Sequence, residues 1–316
     1  MRKTLFLSTC AVCLLVCALA WTGEWPSKPI TFICPMPAGG TIDNLARAVM
    51  APALERGLNA TVVIKNISGA GGTIGTAEAA TAKPDGYNFL VAPAGPMVIQ
   101  FLLRNLPYTP DDFIPVYFIS DNPFFLIVPS KSPYNTFQEF LDDVKANPGK
   151  IAYGTAGPGT VPHLTMAAMC AHYGLEMVHI PDRGGAEVMK SMATGTVQVT
   201  ADSGTYFTRF DNKGLVRFGD ERVPEFPDIP SAKELDCPLR FSTWNAIWAP
   251  KGTPADIVEK VHKALTSIDD DPGAQEIIKN LGGIGMKMSV QAFKDFQDVE
   301  VEKFGKIVEE AGLMTK

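Results

Sequence analysis

Gly69-Ala70-Gly71-Gly72-Thr73-Ile74-Gly75 follows the short apolar run Val62-Val63-Ile64 and precedes an Ala-rich helical pattern from Thr76 to Ala82. A second glycine turn, Pro37-Ala38-Gly39-Gly40, follows the apolar run Ile30-Thr31-Phe32-Ile33-Cys34 and opens a helix from Ile42 to Glu55. Two strand–turn–helix units side by side offer backbone N–H groups and helix N-termini to one anion. Pro84-Asp85-Gly86-Tyr87 is a further turn, and Asn88 to Ala92 a further strand. The resulting β-α-β-α-β order is that of a parallel sheet covered by helices.

Downstream, residues 97–106 read as helix and 113–119 as an extended run, leading to the apolar strand Phe124-Phe125-Leu126-Ile127-Val128. Pro129-Ser130-Lys131-Ser132-Pro133 breaks that strand, and the composition turns polar, which marks a domain crossing. A second α/β unit begins with Thr136, which caps a helix over 137–146 with Glu139 completing a capping box. Gly154-Thr155-Ala156-Gly157-Pro158-Gly159-Thr160 is a third glycine-rich turn between a short strand and a helix from His163 to Tyr173. Strand 176–180, helix 186–193 and strand 197–201, ending at Asp202-Ser203, complete the unit. Residues 224–230 are a proline-rich connection, and Phe241 to Ala249 is a strand able to return the chain to the first domain. Helices follow at 254–268, 273–281, 289–296 and on to about 311, the first with proline at its start. The expected fold class is α/β, with two lobes and a cleft between them: a leader at 1–20, a first domain of 21–124 plus 247–316, and a second of 125–246.

The leader has a basic start, Arg2 and Lys3, an uncharged apolar run from Leu5 to Leu19, and the cleavage pattern Ala18-Leu19-Ala20. Export to the periplasm is expected. Three of the 6 cysteines (Cys10, Cys13, Cys17) leave with the leader, and the spacing of Cys34, Cys170 and Cys237 fits no metal or redox motif. Whether any two of them pair is open, although Cys34 inside an apolar strand reads as a buried free thiol. Losing Arg2 and Lys3 takes the formal charge from −6 to −8, which argues against a nucleic-acid partner. An anionic ligand must then be held by oriented amides rather than by a basic patch.

Catalytic templates are missing. The loop at 69–75 reads G-x-G-x-x-x-G rather than the dinucleotide fingerprint, and there is no P-loop, no G-x-S-x-G elbow and no H-E-x-x-H. The 4 histidines are scattered and give no metal template. One glycine loop alone can also be read as a merely structural tight turn; three recurring in strand-to-helix contexts favour a binding role. His163 is either a helix-start residue or a cleft residue. Asp202 is either a solvated turn residue or a ligand contact, and Arg183 in Pro181-Asp182-Arg183-Gly184-Gly185 either a surface cation or a carboxylate clamp. Trp244 and Trp248 read as core or hinge packing.

Several motifs occur together along the chain: Trp25-Pro26-Ser27-Lys28-Pro29-Ile30, Pro37-Ala38-Gly39-Gly40-Thr41-Ile42-Asp43, Gly69-Ala70-Gly71-Gly72, Lys83-Pro84-Asp85-Gly86-Tyr87, Asn147-Pro148-Gly149-Lys150, the 154–164 loop and Val178-His179-Ile180-Pro181. In this order they resemble the substrate-binding proteins of the tripartite tricarboxylate transporter system, the Bug family, over essentially the whole chain after the leader. The resemblance implies a two-domain periplasmic binding protein of type II, a Venus flytrap, without catalysis or cofactor. It implies that one ligand carboxylate lies against Ala38, Gly39, Gly40 and Thr41 with Asp43, and against Ala70, Gly71 and Gly72. The second domain would close with Thr155, Ala156, Thr160, His163 and Asp202. The implied partners are a small organic carboxylate (a di- or tricarboxylate, an aromatic acid or an acidic amino acid) and a large and a small membrane subunit; the protein is expected to be a monomer.

The departures from the family pattern are Met36 for a usual Phe, Asp182-Arg183 for Tyr-Lys, Thr160-Val161-Pro162 for a serine-rich turn, and Trp244-Asn245 for Trp-Tyr. They leave the ligand open and keep Met36 and Arg183 among the candidate contacts. Asp182 adds negative charge near the cleft mouth and is expected to disfavour a tricarboxylate. Two other roles fit the same sequence: an exported enzyme acting on a small acid, and presentation of the ligand to a sensor kinase.

Overall fold

The computed structural model describes residues 25–310, so the expected leader lies outside the described residues. Strands β1 (Ile30–Cys34), β2 (Val62–Asn66) and β3 (Asn88–Pro93) are parallel, in the order β2-β1-β3. β1 and β3 are apolar on both faces because helices cover both. Phe32 and Phe89 stand opposite each other in register with their rings stacked 5.1 Å apart. With Ile30 and Cys34 they pack toward the helix over 41–58 and the helix Ala255–Leu265. Ile33, Leu90 and Ala92 face the opposite layer, which includes the long helix Val290–Glu310.

β4 (Phe113–Pro129) leads into the second lobe, which holds β5 (Ala152–Thr155), β6 (Val178–Pro181), β7 (Thr200–Ser203) and β8 (Asn212–Arg217), and β9 (Ser242–Pro250) returns from it. Residues Phe113 to Pro123 pair antiparallel with β9, which also pairs with β3. Residues Phe124 to Pro129 pair with β7 and β8. One sheet path therefore runs through both lobes, β2-β1-β3-β9-β4-β7, while β5 and β6 form a separate parallel pair. The sequence suggests two strands here; the structure has one of 17 residues. Its register slips after Pro115 and again after Phe118, so Val116 and Ile119 become bulged residues. A proline cannot donate to the ladder, and a bulge is how a strand accommodates one without ending.

Other differences have similar local causes. The first helix runs to Leu58 rather than Glu55 and widens to a π turn over Ala46–Met50, where the Ala51 N–H donates to the Ala46 carbonyl. Pro52 cannot donate to the Ala48 carbonyl and its ring crowds that oxygen, which the wider turn relieves. The helix expected at 97–106 is two short pieces, Ala94–Val98 and Gln100–Leu103, broken at Ile99 (φ −124°, ψ −52°). β8 and the helix Thr205–Arg209 were not legible, since within β8 only Leu215 and Val216 are buried. Trp244 and Trp248 are wholly buried core residues, and their indole N–H groups donate to Glu300 and Gln297 at 3.2 and 2.8 Å. Cys34, Cys170 and Cys237 are free, and burial pushes the Cys34 and Cys170 thiols up to about 11.

Gly75 shows how closely the second glycine turn packs against the sheet. A Cβ there would stand 2.5 Å from the Ile67 carbonyl oxygen and 2.9 Å from the Pro35 Cα, both backbone atoms that cannot yield locally. Gly75→Ala is expected to destabilise by about 1–3 kcal/mol through overpacking. The measurement is the denaturant midpoint; an unchanged midpoint would contradict this approach distance.

Candidate functional site

The first turn leaves β1 and enters the helix over 41–58. Gly39 has a φ of +79°, and the Gly40 N–H closes the turn onto the Pro37 carbonyl at 3.3 Å. Gly40 occupies the N-cap with no side chain to offer, and the first intrahelical bond comes from the Asn44 N–H. The amides of Thr41 and Ile42 therefore sit at an uncapped helix start. Pro37, Ala38 and Gly39 are exposed, while Gly40 and Thr41 are half-buried.

Asp43 is only 2% exposed and lies behind this turn. Its Oδ2 accepts the Gly39 N–H at 2.8 Å, and its Oδ1 accepts Arg47 Nε at 3.0 Å and Asn66 Nδ2 at 2.9 Å. Burial pushes its pKa up, but those three hydrogen bonds outweigh it and hold the carboxyl below the usual carboxylate range. Asn66 Nδ2 also donates to the Met36 carbonyl at 3.1 Å. Asp43 thus holds the turn rather than projecting from it.

The second turn is more unusual. Gly69, Ala70, Gly71 and Gly72 have successive φ values of +137°, +49°, +69° and +92°. Ala70 is a non-glycine residue in left-handed backbone, a strained conformation that persists only where its surroundings enforce it. The Gly72 N–H closes onto the Gly69 carbonyl at 2.9 Å, and Gly72 is the side-chain-less N-cap of helix Thr73–Ala80. A Cβ on Gly72 would stand 3.0 Å from the Met36 methyl carbon and 2.7 Å from Pro96 Cγ, so Met36 packs against this turn.

The second lobe contributes the loop at 154–163. Thr155 is fully buried; its hydroxyl accepts the Gly157 N–H at 3.2 Å and lies 2.7 Å from His179 Nε2. The Thr160 hydroxyl donates to the Gly157 carbonyl at 2.8 Å. Both hydroxyls therefore shape the loop. His163 Nδ1 accepts the Gly159 N–H at 3.3 Å, which leaves the hydrogen of the neutral ring on Nε2. Its ring stacks on His179 at 4.5 Å, and His179 stacks on Tyr153 at 4.9 Å. Burial, and then the adjacent His179, push the His163 pKa down to about 4, so the ring is neutral at ordinary pH. Ala156 is half-buried in the same loop.

Asp202 closes β7 and is half-buried; burial raises its pKa to about 7 against the Ser203 N–H that donates to Oδ1 at 2.7 Å. Its Oδ2 lies 3.4 Å from where a Gly185 Cβ would stand, and that Cβ would collide with the Tyr206 hydroxyl. Asp202, Tyr206 and the Gly184-Gly185 turn therefore form one surface. Arg183 is exposed, with its N–H donated to Glu187 at 3.0 Å. Asp182 accepts the Ser191 hydroxyl at 2.9 Å.

Gln100 joins the two lobes. Its Nε2 donates to the Gly159 carbonyl at 2.7 Å, and a Cβ on Gly71 would stand 2.8 Å from the same nitrogen. The sequence reading passed over it, although a single polar residue inside Val98-Ile99-Gln100-Phe101-Leu102-Leu103 was a usable signal. Asn66 and Tyr206 were missed as well; neither carries a local pattern. Among the described residues no group of three His, Cys, Asp or Glu is placed to hold a metal ion, and no helix is long and apolar enough to cross a membrane.

Residues 45–313 match the model of the tripartite tricarboxylate transporter family receptor, TctC. The chain belongs to this family. It is similar to the solved structure of the periplasmic binding protein BugD, with 32% identity, a TM-score of 0.83, and 92% of this chain and 100% of that one covered. Rpa4515 of R. palustris, solved with adipate, is 26% identical with a TM-score of 0.85, covering 92% of this chain and 99% of that one. MatC of Rhodopseudomonas palustris, solved with bound malate, is 25% identical with a TM-score of 0.82, covering 90% and 100%. The fold is accordingly α/β, that of a two-domain type II periplasmic binding protein. The family consists of periplasmic substrate-binding proteins.

The two aspartates respond to pH with opposite sign. Asp43 is depressed on folding, so its stabilisation is present above the ordinary carboxylate range and fades as pH falls through the folded value. Asp202 is raised to about 7, so the folded protein is favoured at low pH and loses stability as pH rises from about 4 to about 7. In urea melts, Asp43→Asn should be less stable than wild type at pH 7, with the gap narrowing below about pH 4. Asp202→Asn should be more stable than wild type at pH 8, by up to about 4 kcal/mol, with the gap closing toward pH 4. A pH-independent gap in either variant would refute the assignment.

Proposed function

We propose that this protein captures a small organic carboxylate in the periplasm and hands it to the large and small membrane subunits of a tripartite tricarboxylate-type transporter. It acts as a monomer, without catalysis or cofactor, after removal of residues 1–20. The ligand lies between a first domain of 21–124 plus 247–316 and a second of 125–246. The observation that carries this reading is the four-residue left-handed turn at Gly69 to Gly72, placed beside the uncapped turn at Gly40. Backbone amides concentrated on one spot bind an anion without help from the net charge, which here is negative. Adipate on Rpa4515 and malate on MatC support a carboxylate as the ligand class.

In this reading Ala38, Gly40, Thr41, Ala70 and Gly71 face one carboxylate, with Gly39, Asp43 and Met36 holding their turns. Ala156, Thr160, His163 and Asp202 close over the other end, and Thr155 fixes their loop. Arg183 attracts the ligand from the mouth. Asp182 and Glu187 outnumber Arg183 on that wall, and Asp202 adds a further negative charge above about pH 7, which favours a dicarboxylate over a tricarboxylate.

Native mass spectrometry of the protein as purified, followed by a thermal-shift screen of mono-, di- and tricarboxylates, tests the proposal. A ligand at about 100 times its Kd stabilises by about 2.7 kcal/mol. Citrate is expected to shift the melting temperature less than malate or adipate. Gly71→Val places a β-branched residue at a φ of +69° and should lose the ligand shift while remaining folded. A screen in which no carboxylate binds, or a folded Gly71→Val that binds normally, overturns the assignment.

A further inference from the structure

We infer that Gln100 is a specificity-determining residue, whose free Oε1 selects ligands carrying a hydrogen-bond donor beside the carboxylate held by the glycine turns. The inference rests on the carboxylate reading above and refines it. Gln100 is fully buried, and its amide lies between Gly71 of the first lobe and Gly159 of the second. The Gly159 carbonyl accepts from Nε2 at 2.7 Å, which fixes the amide orientation, since the flipped form would set two acceptors against each other. Gly159 is itself held by the bond from its N–H to His163 Nδ1, and a Cβ there would stand 2.5 Å from Leu103 Cδ1. One of the two Nε2 N–H donors of Gln100 is therefore engaged, and the amide orientation is set.

The acceptor side is not engaged. Oε1 is buried and has no hydrogen-bond partner among the described residues. Two other buried side-chain atoms share that property, Asp121 Oδ1 and Arg217 Nε. Those belong to one charged cluster at the lobe crossing, where each lies in the other's field. Gln100 Oε1 lies 3.8 Å from where a Gly71 Cβ would stand, at the middle of the left-handed turn.

Complementarity then dictates the ligand. The glycine turns offer donors, which a carboxylate satisfies. The Thr160 hydroxyl proton is taken by the Gly157 carbonyl, and the Asp43 oxygens by Gly39, Arg47 and Asn66. An unmet acceptor beside those donors calls for an O–H or N–H on the carbon next to the carboxylate. A buried acceptor left unpaired is costly, and an acid that brings the donor relieves that cost on binding, whereas an acid lacking it does not.

The test compares acids that differ by one group: succinate against malate and aspartate, and glutarate against 2-hydroxyglutarate, by calorimetry on the intact protein. The donor-bearing acids should bind on the order of tenfold more tightly. In Gln100→Met, of similar volume, that ratio should collapse to about twofold or less, whereas a merely structural role would lower all affinities together and leave the ratio unchanged. Equal affinities within each pair in the wild type overturn the inference while leaving the carboxylate reading intact. A ratio that survives in Gln100→Met overturns it too. If no acid binds, both readings fall. The wild-type ratio decides the question even where the variant does not fold.

Discussion

The Asp43 carboxylate ties together the first glycine turn, the helix that the turn opens and the end of β2. It takes the amide of Gly39 from the first turn, the guanidinium of Arg47 from one helical turn further on, and the amide of Asn66 from the end of β2. A buried charge is costly unless it is paired and hydrogen-bonded, and here three donors meet it. The strands it links are fixed by the sheet, so the turn, and with it the amides at Thr41 and Ile42, inherits that rigidity. Asn66 extends the same constraint to Met36 through the Met36 carbonyl, and Met36 in turn packs on Gly72. The two glycine turns are thus one rigid surface. The Asp43 oxygens behind that surface are taken by Gly39, Arg47 and Asn66.

The second lobe is held by different means. Tyr153, His179 and His163 stack in sequence, and desolvation keeps both imidazoles neutral. The loop over them is shaped by the Thr155 and Thr160 hydroxyls rather than by an ion pair. Between the lobes, β4 and β9 cross together, and the crossing is gripped by the long C-terminal helix through Trp244 and Trp248. Asp121 lies at that crossing with backbone bonds to Ile284 in both directions, at 2.9 and 2.7 Å. Its pKa is raised by burial, and that of Arg217 is lowered by the same cause.

Much of this was legible in the sequence because its signals were local. Glycine turns following apolar runs give the β-α-β order; the capping box at Thr136 and Glu139 forms as read, with the Glu139 N–H donating to the Thr136 hydroxyl at 3.1 Å. What escaped reading depends on contacts distant in sequence. The continuity of β4 through Pro115 and Pro123 is decided by its pairing with β9. The orientation of Asp43 is decided by Asn66, 23 residues away. Gln100 acquires its meaning from Gly159, 59 residues away, and no periodicity encodes that meeting. The resemblance supplied positions for the cleft, but it does not distinguish a residue that faces the ligand from one that holds its neighbour in place.

That distinction divides the cleft into a fixed and an adjustable end. At the glycine turns the donors are backbone amides, which do not titrate, and the one carboxylate behind them stays ionised well below neutral pH. At the far wall Asp202 changes charge near pH 7, beside a Tyr206 hydroxyl whose pKa burial and then Asp202 itself push up. An anion bound as proposed at the first end would meet the same field at any ordinary pH. At the second end it would meet a neutral acid below about pH 7 and a carboxylate above it. Under the carboxylate reading proposed above, recognition of the first carboxylate is a matter of backbone geometry, whereas tolerance for a second charge depends on the proton at Asp202.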